Sequence, residues 1–360
     1  MQKTGIVDLP LHYGHTPRWL FEKMVRISQA ISEIIVLEYG KKEFIKRMSN
    51  PFWFQSFACA IGFDWHSSGA TTTACGALKL ALEKVDIGIK LAGGKGNVAK
   101  GVEKEISSCE FMSDKKIEKL KYVSKITAKI DNSCVQDGYK LYHHCIIFTE
   151  DGKWSVIQQG LSGDYARRYH WFYENVKSFV NEPHSGIIGD KKELLVLNMT
   201  NKENEEVRKV SVDIAKEGST ILKCLSTQTT LNDFFKNIPF ISMPKKHEIT
   251  SQILTKDTIE FLKKTEELQP QNYEELILLN GCGPKKIRAL ALLSQLLFGT
   301  EIKWKDPLKY TFTHGGKDGY PHPIDKETYE NSIEFLKEVI RQAKLNEYDK
   351  INALKRLSQL

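Results

Sequence analysis

The chain has 360 residues, of which 41% are hydrophobic and 27% are charged, and its formal net charge is +7. This length allows two or three domains with their own cores, and the composition is typical of a globular protein rather than a disordered one. The sequence shows neither an apolar run of about 18 residues that could span a bilayer nor a signal-peptide pattern. We therefore expect a cytoplasmic protein with no membrane partner. The positive surplus favours an anionic partner only weakly.

Cysteine usage indicates the redox compartment. Seven cysteines are scattered along the chain without a C-x-x-C pair. An odd, scattered set is typical of free thiols in a reducing compartment rather than of a disulfide framework. A zinc site built from Cys134, His143 and Cys145 is an alternative, but its spacing is not that of known zinc modules. Buried structural thiols are the favoured interpretation.

Hydrophobic periodicity predicts helices at the start of the chain and strands in its middle. The predicted helices cover residues 17–35, 52–63 and 74–83. The predicted strands cover residues 126–130, 140–148 and 153–158. Glu150-Asp151-Gly152 separates the last two strands in the manner of a hairpin turn.

The rest of the chain shows mostly helical patterns. They cover residues 204–216, 255–268 and 326–360, while residues 216–250 are loop-rich and contain two prolines. We predict an α+β fold in three parts. A mixed N-terminal domain with a small antiparallel sheet covers residues 1–200, and a connecting region covers 201–250. An α-helical C-terminal domain with a helix-hairpin-helix covers 251–360.

Residues 272–299 carry the most specific pattern in the sequence. Asn272 and Glu275 have the spacing of a capping box, which predicts a helix start. Gly281 and Gly283 permit a tight turn, and Pro284 suits the first turn of a second helix. The amides of this turn and the N-terminus of the second helix can then hold a phosphate group.

Basic residues follow the turn at Lys285, Lys286 and Arg288. The pattern G-x-G-P-x-x-(basic)-A-L resembles the helix-hairpin-helix family over roughly 27 residues. That resemblance implies contact with the nucleic-acid backbone, so Gly281, Gly283 and the three basic residues are predicted to bind DNA or RNA without reading its sequence. The alternative is a helical hairpin whose turn only packs, which does not require basic residues facing outward.

Polar side chains interrupt the apolar patterns of the N-terminal half. Imidazole and carboxylate groups can hold a divalent metal ion or act as an acid–base pair, and an arginine can stabilise phosphoryl charge. The candidate catalytic residues are Asp64, His66, Asp137, His143, Arg168 and His170. Among them, the candidate ligands of Mg²⁺ or Mn²⁺ are Asp64, His66 and Asp137. For any one of these residues considered by itself, a structural hydrogen bond is a commoner role than catalysis or metal binding.

Strand alternation constrains these candidates. In a regular strand, Tyr142, His144 and Ile146 lie on one face, and His143 and Cys145 lie on the other. The two adjacent histidines therefore cannot line one pocket. The sequence contains no HExxH, catalytic-triad or D…ExK nuclease pattern, and the glycine turn at 93–96 lacks the Ser or Thr of a P-loop.

A wider resemblance covers nearly the whole chain. The segments that carry it are residues 8–14, 51–54, 63–69, 136–139, 142–144, 166–171, 182–184 and 314–319. Together they resemble the archaeal and bacterial family of unknown function numbered 763. This resemblance implies a prokaryotic protein with a C-terminal helix-hairpin-helix, suspected of nuclease-like action, and it carries over no catalytic residue.

Two functions remain open. The favoured one is a divalent-metal-dependent nuclease that hydrolyses phosphodiester bonds in DNA or RNA, because many ionisable groups lie among aromatic residues. In a metal-free variant, two histidines would act as base and acid on RNA. The alternative is a non-catalytic DNA-binding or DNA-repair scaffold protein whose polar groups form a structural network.

Overall fold

The computed structural model describes residues 16–62, 69–163, 165–189, 191–227, 255–308, 310–311 and 326–357. The strands are β1 (Ile89–Lys95), β2 (Val135–Gln136), β3 (Lys140–Thr149), β4 (Trp154–Ser162), β5 (Tyr165–Phe172), β6 (His184–Gly189), β7 (Leu197–Asn198) and β8 (Tyr310–Thr311). The main sheet has the order β1-β3-β4-β5-β6-β8, and β2 pairs separately with β7. Neighbours from β1 to β6 are antiparallel, whereas β8 pairs in parallel with β6.

Helices precede the sheet and interrupt it early. They are α1 (Arg18–Met48), α2 (Pro51–Ile61), α3 (Ala70–Glu83), α4 (Asn97–Lys100), α5 (Val102–Ser107) and α6 (Asp114–Lys129). Gly40 has a φ of +83° and breaks the regular geometry of α1. The side chain of Asn50 accepts hydrogen bonds from the amides of Phe52 and Trp53, so α2 begins on an N-cap with Pro51 in its first turn.

Further helices follow the sheet. They are α7 (Glu205–Lys216), α8 (Gly218–Thr227), α9 (Lys256–Leu268), α10 (Tyr273–Leu278), α11 (Pro284–Phe298), α12 (Lys326–Gln342) and α13 (Glu347–Leu357). A single π-helical turn covers Ile130–Cys134, and a 3₁₀ turn covers Lys202–Asn204. None of the described helices combines the length and the apolar character needed to cross a lipid bilayer.

The main sheet lies between two hydrophobic cores. One face packs against α1, α2, α3, α12 and α13, and its strand residues include Cys145, Ile147 and Ile157; we call it the α3 face. The opposite face, which includes Ile146 and Val156, packs in one core with α5, α6, α7, α9, α10 and α11; we call it the α6 face. Both faces are buried because helices cover both.

The structure confirms a mixed α+β fold with antiparallel strands in the middle and helices at both ends. The hairpin at residues 150–152 is present between β3 and β4, where Gly152 has a φ of +86°. The strand expected at residues 126–130 is wrong, since residues 114–129 form α6. Leu120, Val123 and Ile126 recur at helical spacing and are buried, so the helical period dominates over the short β-like run.

Each core draws on residues far apart in the chain. The α6-face core includes Ala92 and Ile302, and the α3-face core includes Met24 and Leu357. Hydrophobic contacts therefore cross residues 200 and 250, where the sequence suggested domain boundaries.

Candidate functional site

Arg168 anchors a polar group inside the α3 face. Its guanidinium donates two bonds of 3.1 Å to Gln55 Oε1, one of 3.3 Å to Thr71 Oγ1 and one of 3.2 Å to the Pro51 carbonyl. Its planar group also lies 4.7 Å from the centre of the Phe54 ring. Arg168 is only 5% exposed, so it joins β5 to α2 and α3 inside the protein.

Gln159 continues this polar group toward β3. It is the cross-strand neighbour of both His143 and Arg168, which places all three on the α3 face. Its Oε1 accepts from the Thr71 hydroxyl, and its Nε2 donates to the Tyr142 hydroxyl at 2.5 Å. Tyr142 thus reaches a residue of the α3 face, and the expected alternation fails there because β3 is irregular between residues 141 and 143.

His170 lies on the same face and is fully buried. Its Nδ1 is 3.2 Å from the Met48 carbonyl, and its ring meets Phe54 edge to face. Nε2 has no hydrogen-bond partner among the described residues. Burial holds the pKa of His170 well below its ordinary value, and the charge of Arg168 lowers that pKa further. The imidazole is therefore neutral near pH 7.

Cys75, His143 and Cys145 form a compact cluster between α3 and β3. Their potential ligand atoms all lie within 4.8 Å of one another, and all three residues are buried. The two sulfur atoms are 3.6 Å apart. Among the described residues, neither ring nitrogen of His143 has a hydrogen-bond partner. This cluster could hold a metal ion.

The two thiols of the cluster have different electrostatics. The contact with Cys75 holds the pKa of Cys145 well below its usual value, and the His143 imidazole lowers that pKa further. Burial raises the pKa of Cys75 well above its usual value. The hydrogen bond between the two sulfurs contributes to both directions.

The α6 face contains a different kind of polar group. Asp131 is fully buried, and its carboxylate accepts from Gln158 Nε2 at 2.5 Å and Trp171 Nε1 at 2.8 Å. His184 Nε2 lies 2.5 Å from the other carboxylate oxygen. A buried carboxylate with three such partners is well compensated.

His144 extends this network. Its Nδ1 lies 2.9 Å from Gln158 Oε1, and its Nε2 lies 2.7 Å from the Ser124 hydroxyl. Burial lowers the pKa of His144, although the bond with Gln158 opposes that change. The predicted separation of the adjacent histidines is confirmed, since His144 contacts α6 while His143 lies against α3.

Asp137 belongs to a buried ion cluster rather than to the α3 face. Its Oδ1 accepts from the Tyr139 amide at 3.1 Å, and its Oδ2 accepts from Arg167 at 3.0 Å and from the Tyr169 hydroxyl at 2.6 Å. Arg167 also binds both carboxylate oxygens of Asp306 at 2.8 Å. Burial raises the pKa of Asp137 to about 6, although Arg167 and Tyr169 act in the opposite direction.

The candidate catalytic residues therefore fall into separate places. His143, Arg168 and His170 share the α3 face, and Asp137 bonds residues that point to the other side of β5. Asp64 and His66 lie outside the described residues. The residues on either side of that segment belong to α2 and α3, which supply Gln55 and Thr71 to the Arg168 group.

The glycine turn predicted at 281–283 joins α10 to α11. The Cys282 amide donates to the Leu279 carbonyl at 3.1 Å, and the buried Cys282 side chain holds the turn against the core. Gly281 has a φ of +86°, which favours glycine, and the space around its Cα is open. Gly283 is the N-cap of α11 and has open space around its Cα as well.

The three basic residues after this turn differ in exposure. Lys285 is exposed. Lys286 is mostly buried and pairs with Asp257, while the buried Arg288 donates to Gln136 Oε1 at 2.8 Å. Lys286 and Arg288 thus fasten α11 to its neighbours.

Comparison with known proteins identifies the family. The model of the family described as "Protein of unknown function (DUF763)" matches residues 5–324. The chain belongs to the DUF763 family. Neither a curated protein nor a solved structure matches it. The match covers all the described strands and the described helices up to α11, and it therefore includes the polar residues on both faces of the sheet.

Some residues of the cysteine–histidine cluster and of the Asp131 network cannot be found from patterns along the sequence. Cys75 joins Cys145 across 70 positions, through the packing of α3 on β3. Within this cluster, the sequence indicates only that His143 and Cys145 lie on the same face, because they are alternate residues of one strand. Asp131 is one acid among several in the N-terminal half of the sequence. Its three partners come from β4, β5 and β6, and no spacing in the sequence indicates them.

Proposed function

We propose that the protein binds the phosphodiester backbone of nucleic acid at the hairpin formed by α10, the turn and α11, without reading base sequence. The open glycine turn at 281–283 carries this proposal. Its outer side has room for a ligand, while its inner side is fixed by Cys282.

Backbone amides supply the first part of the binding surface. Gly283 caps α11 without a side-chain hydrogen bond, and the first helical bond of α11 runs from the Ile287 amide to the Gly283 carbonyl at 3.1 Å. The amides of Lys285 and Lys286 precede that bond and lie at the positive end of a 15-residue helix. Such amides bind phosphate oxygens in many proteins.

Cationic side chains supply the second part. Lys285 is exposed beside the turn. Burial raises the pKa of the Cys282 thiol to about 12, and the ammonium groups of Lys129 and Lys286 lie close enough to oppose that rise. Positive charge from both α6 and α11 therefore acts on the inner side of the turn, at Cys282. Lys285 is the side chain placed for direct phosphate contact, and Lys286 and Arg288 serve mainly to position the helix.

The salt dependence of binding tests this proposal. We expect Lys285→Ala to weaken binding to unrelated duplexes equally and to reduce the slope of log K against log salt by about 0.9, which corresponds to one phosphate contact. Lys84→Ala is the matched control, because Lys84 is an exposed lysine at the end of α3 on the other side of the sheet. An unchanged slope, or an effect on one sequence only, contradicts backbone binding.

Phosphodiester hydrolysis is the second candidate function. The observation that favours it is the placement of His143, Arg168 and His170 on one face, next to the helices that flank residues 63–68. In this proposal Asp64 and His66 hold Mg²⁺ or Mn²⁺, and the hairpin delivers DNA or RNA to them. Asp137 is left out, because both of its carboxylate oxygens are already engaged.

Cleavage assays separate the two functions. Labelled DNA and RNA are incubated with the full chain in Mg²⁺, in Mn²⁺ and in EDTA. A nuclease cleaves only with metal, and Asp64→Asn abolishes cleavage while the affinity for nucleic acid and the melting temperature stay close to those of the wild type. Metal-independent cleavage, or full activity of Asp64→Asn, contradicts this site. Binding without cleavage in all three conditions leaves the non-catalytic DNA-binding or DNA-repair scaffold.

A further inference from the structure

We propose that Cys75, His143 and Cys145 supply three of the four ligands of a zinc ion that ties α3 to β3. The geometry of the three side chains is the starting point. Tetrahedral coordination with Zn–S bonds of about 2.3 Å places two sulfur ligands about 3.8 Å apart. The sulfur atoms of Cys75 and Cys145 are 3.6 Å apart, and every potential ligand atom of the cluster lies within 4.8 Å of the others.

His143 supplies a second and independent observation. It is 1% exposed, and neither ring nitrogen has a hydrogen-bond partner among the described residues. Burying an imidazole without partners costs free energy, and a metal ion bound to one nitrogen removes part of that cost. The unpartnered ring lies beside two sulfurs, which are the preferred companions of imidazole in zinc sites.

The donor set selects the class of metal. Two sulfurs and one imidazole nitrogen suit zinc and other soft or borderline ions, whereas Mg²⁺ and Mn²⁺ prefer oxygen ligands. On binding, each thiol that is still protonated loses its proton to solvent, and His143 donates a nitrogen lone pair. His143 belongs to both proposals, but the cluster differs in its donor atoms from the Mg²⁺ or Mn²⁺ site of Asp64 and His66 and does not depend on that site.

The position of the ligands defines what the ion does. His143 and Cys145 are alternate residues of β3, and Cys75 belongs to α3. The zinc ion thus crosslinks a central strand to the helix that covers it. The zinc ion would connect β3 to α3, as the hydrogen bond from Arg168 to Thr71 connects β5 to α3.

Metal analysis of the purified full chain tests the proposal. We expect about one zinc per chain after expression in zinc-supplemented medium, and a loss of most of it in Cys75→Ser and Cys145→Ser. Cys134→Ser is the matched control, since Cys134 is equally buried but lies next to Cys282 in the α6-face core. This control should retain its zinc. Zinc retained by Cys75→Ser, or lost from Cys134→Ser, overturns the assignment.

A measurement on the wild-type chain covers the case in which a serine variant does not fold. Apo protein is reconstituted with Co²⁺, and thiolate ligation produces a sulfur-to-cobalt charge-transfer band together with the intense visible bands of a tetrahedral site. Addition of Zn²⁺ should remove these bands and raise the melting temperature. Absence of the charge-transfer band, or a Cys75–Cys145 disulfide found by mass spectrometry of the non-reduced protein, overturns the proposal.

Discussion

The two faces of the central sheet bury polar groups in different ways. On the α6 face, Asp131 is paired with three neighbouring side chains, and Arg167 is paired with two carboxylates. On the α3 face, both ring nitrogens of His143 and the Nε2 of His170 have no hydrogen-bond partner among the described residues. A complete polar network stabilises a fold, whereas an incomplete one in a buried position indicates a ligand or a functional constraint. Arg167 Nε and Tyr273 Oη also lack a partner among the described residues, so the difference between the faces concerns their histidines: His144 and His184 are bonded, whereas His143 is not.

The largest effect is expected at the centre of the complete network. Asp131→Ala removes the carboxylate that accepts from Gln158 and Trp171 and that His184 contacts, so we expect a loss of about 3 kcal/mol or more in the free energy of unfolding. Urea denaturation measures it, and the exposed Asp86→Ala serves as the control with a change within about 0.5 kcal/mol. A loss below about 1 kcal/mol would show that the network is not the stabilising element inferred here.

The adjacent histidines provide the next test. In EDTA, His144→Leu removes partners from Ser124 and Gln158 and should cost about 2 kcal/mol. His143→Leu removes an imidazole without partners and should change the stability by less than about 1 kcal/mol.

In saturating zinc, His143→Leu should lose more stability than His144→Leu, the reverse of the order in EDTA. The reason is that only His143 belongs to the cysteine cluster, so only its substitution removes a zinc ligand. Chemical denaturation with and without zinc gives both comparisons. Equal losses for the two variants under both conditions argue against a difference between the faces.

The pH dependence of stability probes the buried imidazole of His170. Its pKa in the folded protein is lowered, so below about pH 6.5 the unfolded chain binds a proton that the folded chain does not. The contribution of His170 to the free energy of unfolding is therefore fully present above pH 6.5 and is lost as the pH falls below that value. We expect His170→Leu to reduce the slope of stability against pH by roughly 1 kcal/mol per pH unit between pH 6.5 and 5.5. Parallel slopes for variant and wild type would contradict a buried neutral imidazole.

The smallest effect is expected at the glycine turn, outside the sheet. Gly281→Ala forces a side chain into the left-handed region and should cost about 1 kcal/mol, whereas Gly283 has extended backbone (φ −126°) and tolerates alanine with little loss. Both substitutions place a methyl group where a phosphate would approach. Thermal melts and binding titrations should therefore distinguish the two variants. Gly281→Ala should lose both stability and affinity, whereas Gly283→Ala should lose affinity at unchanged stability.

The sequence alone predicted the local features and missed the long-range ones. Periodicity located most helices, the β3–β4 hairpin and the opposite faces of His143 and His144, because these depend on residues close in the chain. It misassigned residues 126–130, where Ile126 and Ile130 fit both a strand and a helix. It also included Cys134 rather than Cys75 in the possible metal cluster. That choice depends on the packing of α3 against β3, and no spacing along the chain encodes it.

The return of α12 and α13 to the first helices has a consequence for biosynthesis. Leu336 and Ile340 of α12 and Leu357 of α13 complete the same core as Met24 and Phe57, which emerge from the ribosome some three hundred residues earlier. Until the last helices are made, the apolar surfaces of α1 and α2 lack their cover, and contacts between such distant segments form slowly. Part of the apolar surface of α1 and α2 therefore lacks its final cover on the nascent chain until α12 and α13 have been synthesised.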